Sequence, residues 1–401
     1  MKNQFKNSEK IRLSRFVLLA LAGVLSFSSC KKSDELSRSA DGTGIASKSQ
    51  SKLLGIIVFP FGDYTINFKD DVPGGFSTAI RDQMVNTFFA VYPKLSNRFN
   101  TNAAKTVTIW MNPDFTGVAQ AGGTQIEINP AYMSSHPKDV DVVVHEGMHI
   151  VQAYKGGVPG WLTEGIADYV RYKYGIYNDE NGWKMQPYRP DQSYTAGYGT
   201  TATFLVWLEQ HYSATIVDQL NTISRNGQYT SATWVNITGK TVDQLWSEYG
   251  QNPTITGLDV TTGAVLTVSR ENGSGAGSTE GSLKLIDNSA DTKFFIDSFP
   301  SGLTLKLTLP QLKIVTSYRL TSGNDFPDRD PKSWTLHGSN DNSNWTQLDS
   351  QTNQVFTSRK QEKTYSFSNL TAYKYYRISV SANNGSAGFQ LAEWRVIKRP
   401  L

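Results

Sequence analysis

Five histidines occur in 401 residues, and two of them stand four apart in V-V-V-H-E-G-M-H-I-V-Q, residues 142–152. On an α-helix, positions i and i+4 lie one above the other, so His145 and His149 point the same way. Two imidazoles placed like this can grip one metal ion, and Glu146 then stands where it can act as a base on a water at that metal. Val144, Met148 and Val151 have the spacing of an opposite, core-facing stripe. A buried helix that happens to carry two histidines would show the same residues, so the pattern alone leaves both readings open.

A loop, K-G-G-V-P-G, leads from this stretch to W-L-T-E-G-I-A-D-Y-V-R, residues 161–171, which reads as a second helix. Glu164 and Asp168 are again i, i+4. Three protein ligands and one open position is the coordination of a catalytic zinc, and two histidines with a glutamate is a known ligand set. Asp168, one turn beyond Glu164, can accept the free N–H of a ligating histidine. A first-turn glutamate near a helix N-terminus would also account for Glu164. The order HExxH then ExxxD resembles the glutamate-zincin metallopeptidases, which implies Zn2+ on His145, His149 and Glu164 with Glu146 as general base.

The elements that must position these residues are readable upstream. L-L-G-I-I-V-F-P-F from Leu53 reads as a buried strand, Thr78 to Phe99 has helical spacing, and K-T-V-T-I-W-M alternates as a strand. G-G-T-Q-I-E-I-N, 122–129, reads as a further strand just before the histidine helix. By analogy with zincins it is expected to be the sheet edge, on which an extended peptide adds itself as one more strand. From about Ile56 to Tyr249 the chain resembles the plant basic secretory protein family and its bacterial relatives. The residues that carry the resemblance are H-E-G-M-H-I-V-Q-A-Y, P-G-W-L-T-E-G-I-A-D-Y-V-R and S-Y-T-A-G-Y-G-T-T-A-T-F-L-V-W-L-E. Gly147 stands where a bulkier residue is usual, at some cost in helix propensity. Tyr194 and Tyr198 lie in the third block, and either could donate a hydrogen bond to an oxyanion or simply pack. His211 reads as a charge at a helix C-terminus.

Before this domain comes a targeting segment. Lys2, Lys6, Lys10, Arg12 and Arg15 precede F-V-L-L-A-L-A-G-V-L, an apolar run too short to span a bilayer. S-F-S-S-C follows, with Cys30 the one cysteine in the chain. The pattern resembles a bacterial lipoprotein signal, which implies lipidation of Cys30 and a membrane anchor at the outer membrane or cell surface; a plain secretory peptide is the alternative. No internal disulfide is then expected, and the fold must rest on packing. Residues 31–52 are serine-rich and almost without apolar side chains, as in a flexible tether. With 39 basic against 35 acidic residues, the charge balance gives no reason to expect a nucleic-acid partner.

Past Thr256 the pattern changes to short strands. L-T-L-K-L-T-L at 303–309 alternates strictly, and T-S-Y-R-L-T-S, S-W-T-L-H-G-S, Y-K-Y-Y-R-I-S-V and F-Q-L-A-E-W-R-V continue the series. Strands at this spacing argue for a sandwich. D-P-K-S-W-T-L-H-G-S-N-D-N-S-N-W and F-Q-L-A-E-W resemble discoidin (coagulation factor type C) domains over roughly 260–401. That resemblance implies a glycan- or surface-binding module. I-D-N-S-A-D-T-K-F, 286–294, resembles the calcium segment of carbohydrate-binding members, which implies Ca2+ on Asp287, Asp291, Thr292 and Glu393; an Asx-rich turn without an ion is the alternative. His337, inside a strand, reads as structural.

The expected architecture is an α+β zincin-like peptidase domain (53–256) followed by an all-β discoidin-like jelly-roll sandwich (257–401), behind a lipoprotein signal (1–30) and a tether (31–52). The expected function is a monomeric, surface-anchored zinc endopeptidase acting on protein or glycoprotein, with the sandwich serving location and separable from the chemistry. The rivals are a catalytically silent adhesin or glycan-binding lipoprotein and a metal-dependent hydrolase of a non-peptide substrate.

Overall fold

The computed structural model describes residues 52–53, 55–300 and 302–398. The targeting segment, Cys30 and the tether up to residue 51 lie outside the described residues. The first half is a six-stranded sheet covered by helices. Its strands are β1 (Lys52–Leu53), β2 (Ile56–Phe61), β3 (Tyr64–Asp70), β4 (Thr106–Met111), β5 (Ala119–Gly122) and β6 (Gln125–Ile128). They lie in the order β1-β2-β3-β4-β6-β5, parallel from β3 through β4 to β6, with β5 antiparallel on β6. Alternation sets the buried face: Ile66 and Phe68 of β3, Val107 and Ile109 of β4, and Ile126 and Ile128 of β6 are all sealed from solvent.

Against that face packs α1 (Thr78–Phe99), through Met84, Phe88, Tyr92 and Leu95 at helical spacing. The short α2 (Pro130–Ser135) follows, capped by Asn129, whose side chain accepts from Ala131 N–H. Then come α3 (Val142–Gln152) and α4 (Gly160–Tyr174), the two helices expected to carry the ligands. The helical layer is completed by α5 (Asn178–Asn181), α6 (Tyr198–His211), α7 (Ile216–Arg225), α8 (Ala232–Thr238) and α9 (Val242–Gln251).

Two glycines explain how closely these helices approach. A Cβ on Gly147 of α3 would come 3.3 Å from Tyr92 of α1, so the residue that costs helix propensity lets α3 settle onto α1. A Cβ on Gly165 of α4 would lie 2.2 Å from Thr201 Cγ2 on α6, which no real contact allows. The one correction to the expected order concerns the sheet edge. β6 is internal, flanked by β4 and β5, and the edge beside α3 is β5. A-Q-A-G is too short and too weakly apolar to register as a strand in the sequence.

The second half is all-β: β7 (Val265–Val268), β8 (Phe294–Ile296), β9 (Leu303–Lys313), β10 (Val315–Thr321), β11 (Pro331–Ser339), β12 (Thr346–Gln351), β13 (Glu362–Ser366), β14 (Tyr373–Asn383), β15 (Phe389–Leu391) and β16 (Glu393–Lys398). They pair antiparallel in a five-stranded sheet, β12-β11-β14-β9-β7, a three-stranded sheet, β13-β10-β16, and a two-stranded ribbon, β15-β8. Leu303, Leu305, Leu307 and Leu309 face inward along β9 and meet Tyr318, Leu320, Trp394 and Val396 of the opposing sheet in one core. His337 pairs across strands with Arg377 and Gln347.

Candidate metal centre

The ligand-bearing helices bring three atoms together. His145 Nε2 lies 3.2 Å from His149 Nε2 and 3.2 Å from Glu164 Oε2, and His149 Nε2 lies 3.4 Å from the same oxygen. Among the described residues this is the one group of three or more metal-ligating side chains close enough to share an ion. Ligands at zinc bond lengths of 2.0–2.1 Å around a tetrahedral centre sit about 3.3–3.4 Å apart, so the triangle has the size of one face of such a site.

The far nitrogens of the imidazoles fix what the near ones can do. His145 Nδ1 lies 2.7 Å from Asp168 Oδ1, and a ring N–H must be the donor to a carboxylate. His149 Nδ1 lies 2.7 Å from Gln152 Oε1, whose amide nitrogen in turn donates to Thr163 O at 2.8 Å. In the neutral tautomers that metal ligation requires, both histidines turn an Nε2 lone pair toward each other and toward the Glu164 carboxylate. Atoms this close need a cation among them, either a proton on His145 or a metal ion, and two imidazole nitrogens with one carboxylate oxygen are a donor set that fits a divalent ion. Asp168 makes the expected contact with a histidine of the triangle, and Gln152 is an addition. Its spacing of three from His149 was the available signal.

Electrostatics ties the cluster together. Burial opposes charge on His145, yet its hydrogen bonds with Asp168 and Glu164 prevail and lift its pKa to about 9. Burial would raise Glu164, but the two histidines hold it down to about 2. Glu146 is buried, and desolvation pushes its carboxyl upward against the pull of the histidines. Its Oε2 has no hydrogen-bond partner within the protein. A carboxyl group with a raised pKa, facing the cavity beside the ligand triangle, suits a base that must take and return a proton.

The triangle opens into a cavity of about 750 Å3 that Glu146, Trp183, Arg171 and Ala119, Gln120 and Ala121 of β5 help to line. Tyr198 also lines it. It is 56% exposed at the start of α6, its ring is nearly parallel to that of His145 at 6.2 Å, and its backbone has φ +46°. A left-handed tyrosine is costly, and such strain is tolerated where a side chain must be aimed. Tyr194 is brought elsewhere. Its hydroxyl donates to Asp243 at 2.7 Å and its ring packs edge-on to Trp161, so of the two candidate tyrosines it is the packing one. His211 donates from Nδ1 to Trp207 O at 2.9 Å and stacks on the Trp207 ring, at the end of α6 as expected.

In the sandwich, three of the four proposed calcium ligands converge. Ser289 N–H is shared by Asp287 Oδ1 at 3.1 Å and Glu393 Oε1 at 2.9 Å, and Thr292 Oγ1 donates to Asp287 Oδ2 at 2.8 Å. Glu393 Oε2 is buried without a hydrogen bond, 3.5 Å from the Arg395 guanidinium. Burial pushes the Glu393 carboxyl up to about 8. Two carboxylates, one of them with an unsatisfied buried oxygen, and a hydroxyl fit a hard cation. The carboxylate of Asp291 does not join them: it is largely exposed and pairs with Lys360.

Comparison with known proteins agrees with this division. Residues 67–249 match the family model described as peptidase of plants and bacteria, and residues 265–394 match that of the F5/8 type C domain. Over 94 residues the chain is 38% identical to a peptide-N(4)-(N-acetyl-beta-glucosaminyl)asparagine amidase of Arabidopsis thaliana, covering 22% of this chain and 13% of that protein. Among solved structures, the C-terminal domain of a chitobiase from Bacteroides fragilis is 17% identical at a TM-score of 0.31, covering 35% of this chain and 97% of that one. The family 32 CBM from C. perfringens NanJ in complex with galactose is 15% identical at a TM-score of 0.29, covering 34% and 96%.

Proposed function

We propose that this chain is a zinc-dependent endopeptidase carrying a glycan- or surface-binding sandwich. The observation that carries the reading is the ligand triangle, with both Nδ1–H groups committed and three electron-rich atoms turned inward. His145, His149 and Glu164 would hold the ion; a zinc ion held there polarises a carbonyl and makes water acidic enough to lose its proton near neutral pH. The protein's own groups do the rest. Glu146 takes the proton of the attacking water and delivers it to the leaving amine. Tyr198 lines the cavity with its ring beside His145, where its hydroxyl would donate a hydrogen bond to the oxyanion as it forms. Asp168 and Gln152 keep both imidazoles in the tautomer that ligation requires. The β5 edge gives an extended peptide a strand to pair with, alongside the triangle.

For the sandwich, resemblance to discoidin domains supports glycan or surface capture, and Asp287, Thr292 and Glu393 would hold Ca2+. The chain's start supports export as a lipoprotein anchored through Cys30. The test is incubation of wild type and Glu146→Gln with glycosylated and deglycosylated protein mixtures, mapping cleavage by mass spectrometry. New peptide termini with wild type alone are the expected result. Cleavage by both proteins equally, or by neither with zinc bound, would reject the peptidase reading.

A further inference from the structure

The turn after α4 is gripped from two sides. On one side, Asp141, the residue before α3, accepts the N–H groups of Ile176 at 2.9 Å and Tyr177 at 2.6 Å. On the other side the grip comes from the sandwich. Lys313, at the end of β9, donates from Nζ to Gly175 O at 3.2 Å and Ile176 O at 3.4 Å. Ile314 N–H donates to Asp179 Oδ2 at 3.2 Å, and Lys398 of β16 brings its ammonium 3.6 Å from Asp179 Oδ1 and over the Tyr172 ring of α4. The sandwich end of this contact is itself held in place. Lys313 O accepts from the buried Tyr376 hydroxyl at 2.6 Å, and Val315 N–H donates to that same hydroxyl oxygen.

These groups form one connected junction. Asp141 and Lys398 are almost fully buried, and Asn178, fully buried in the same turn, exchanges hydrogen bonds with Arg171 of α4. Within it, α3 starts at residue 142 with His145 N–H bonded to Asp141 O, and α4 ends just before the carbonyls that accept from Lys313. The separation of α3 from α4 sets the separation of the histidines from Glu164, and ligand geometry tolerates little error.

We infer that Lys313 is a positioning residue for the metal centre: through the 175–179 turn the sandwich fixes α4 against the start of α3, and with it the spacing of the ligand triangle. This deepens the zinc-site reading and rests on it. It runs against the expectation that the sandwich serves location alone. Lys313→Met removes both hydrogen bonds and takes one buried cation away from a turn that keeps Asp141 on its backbone donors and Asp179 on Lys398. Supporting groups beyond the ligands typically change metal affinity by about 10–100-fold. Lys313 acts one contact further out, so about three- to tenfold is expected.

The experiment is a competitive zinc titration of the full-length chain, wild type against Lys313→Met and Lys313→Arg, well below each protein's melting temperature. The expected result is weaker zinc binding in Lys313→Met by that factor, a matching fall in kcat/KM, and recovery in Lys313→Arg, which keeps a donor. A contact that serves folding alone would lower the melting temperature and leave the zinc affinity of the folded protein unchanged, which would overturn the inference. Should Lys313→Met not fold, Lys398→Met removes the Asp179 ion pair and the cation over the Tyr172 ring, leaves both Lys313 hydrogen bonds in place, and is read the same way. If wild type itself takes up no zinc, the metal reading fails instead.

Discussion

At the scale of single residues, the roles separate by contact. Glu146 makes no hydrogen bond through Oε2 and touches the cavity, so Glu146→Gln is expected to cut turnover by about 10²–10⁴-fold while zinc content stays at wild type. The tyrosines give a paired test. Tyr198→Phe is expected to lower kcat by about 10²-fold with KM little changed, because it removes a donor that matters only as charge develops. Tyr194→Phe loses its bond to Asp243 and is expected to cost about 1 kcal/mol in denaturant melts, with kcat untouched. In the sandwich, the Glu393 pKa of about 8 lies above its unfolded value, so the folded state binds the extra proton between about pH 4.5 and 8. The stability this group contributes is full below that window and is lost as pH rises through it. In chelator, melting temperature should therefore fall across this range in wild type and fall less in Glu393→Gln. Calcium should remove much of the difference by binding the ionised carboxylate. A slope identical in both proteins would remove Glu393 from any such site.

At the scale of elements, close packing of α3 and α4 is what makes a site from four side chains. Gly165→Ala places a methyl on Thr201 across the α4–α6 contact and is expected to cost about 1–3 kcal/mol of stability, measured by denaturant melts. A change below the error of the melt would mean that the helices can part at no cost. The histidine–glutamate triangle, Glu146 and the helices α1, α3 and α4 were legible because strong periodicity coincided with residue types that have few other reasons to recur. Strand β5 was not legible: four residues of A-Q-A-G carry no alternation, and only pairing with β6 makes them a strand. Nor could spacing choose between Tyr194 and Tyr198. The choice depends on the turn between them, where Gly197 and Tyr198 both take positive φ and swing one ring out over His145 and the other back onto Trp161. The pairing of the Asp291 carboxylate was hidden for a similar reason, since its Lys360 partner lies 69 residues away in sequence.

At the scale of the whole molecule, both folds could be read from their own patterns, and the contact between them could not. Lys313 ends a strand whose alternation speaks only of the sandwich, and Asp179 lies in a short polar helix with no motif; nothing in either stretch points to the other. A chain ending at Thr256 lacks Lys313, Ile314 and Lys398. It is expected to melt lower than the full chain and to hold zinc more weakly even when folded, whereas equal affinity would restore the picture of independent modules. The claim on which all of this depends is that His145, His149 and Glu164 share one zinc ion. It is tested most directly by anomalous diffraction at the zinc edge from crystals grown with zinc. The expected result is a single peak about 2.0–2.2 Å from both Nε2 atoms and from a Glu164 carboxylate oxygen. A zinc-loaded crystal with no peak at that position, or with Glu164 turned away from it, would contradict the claim.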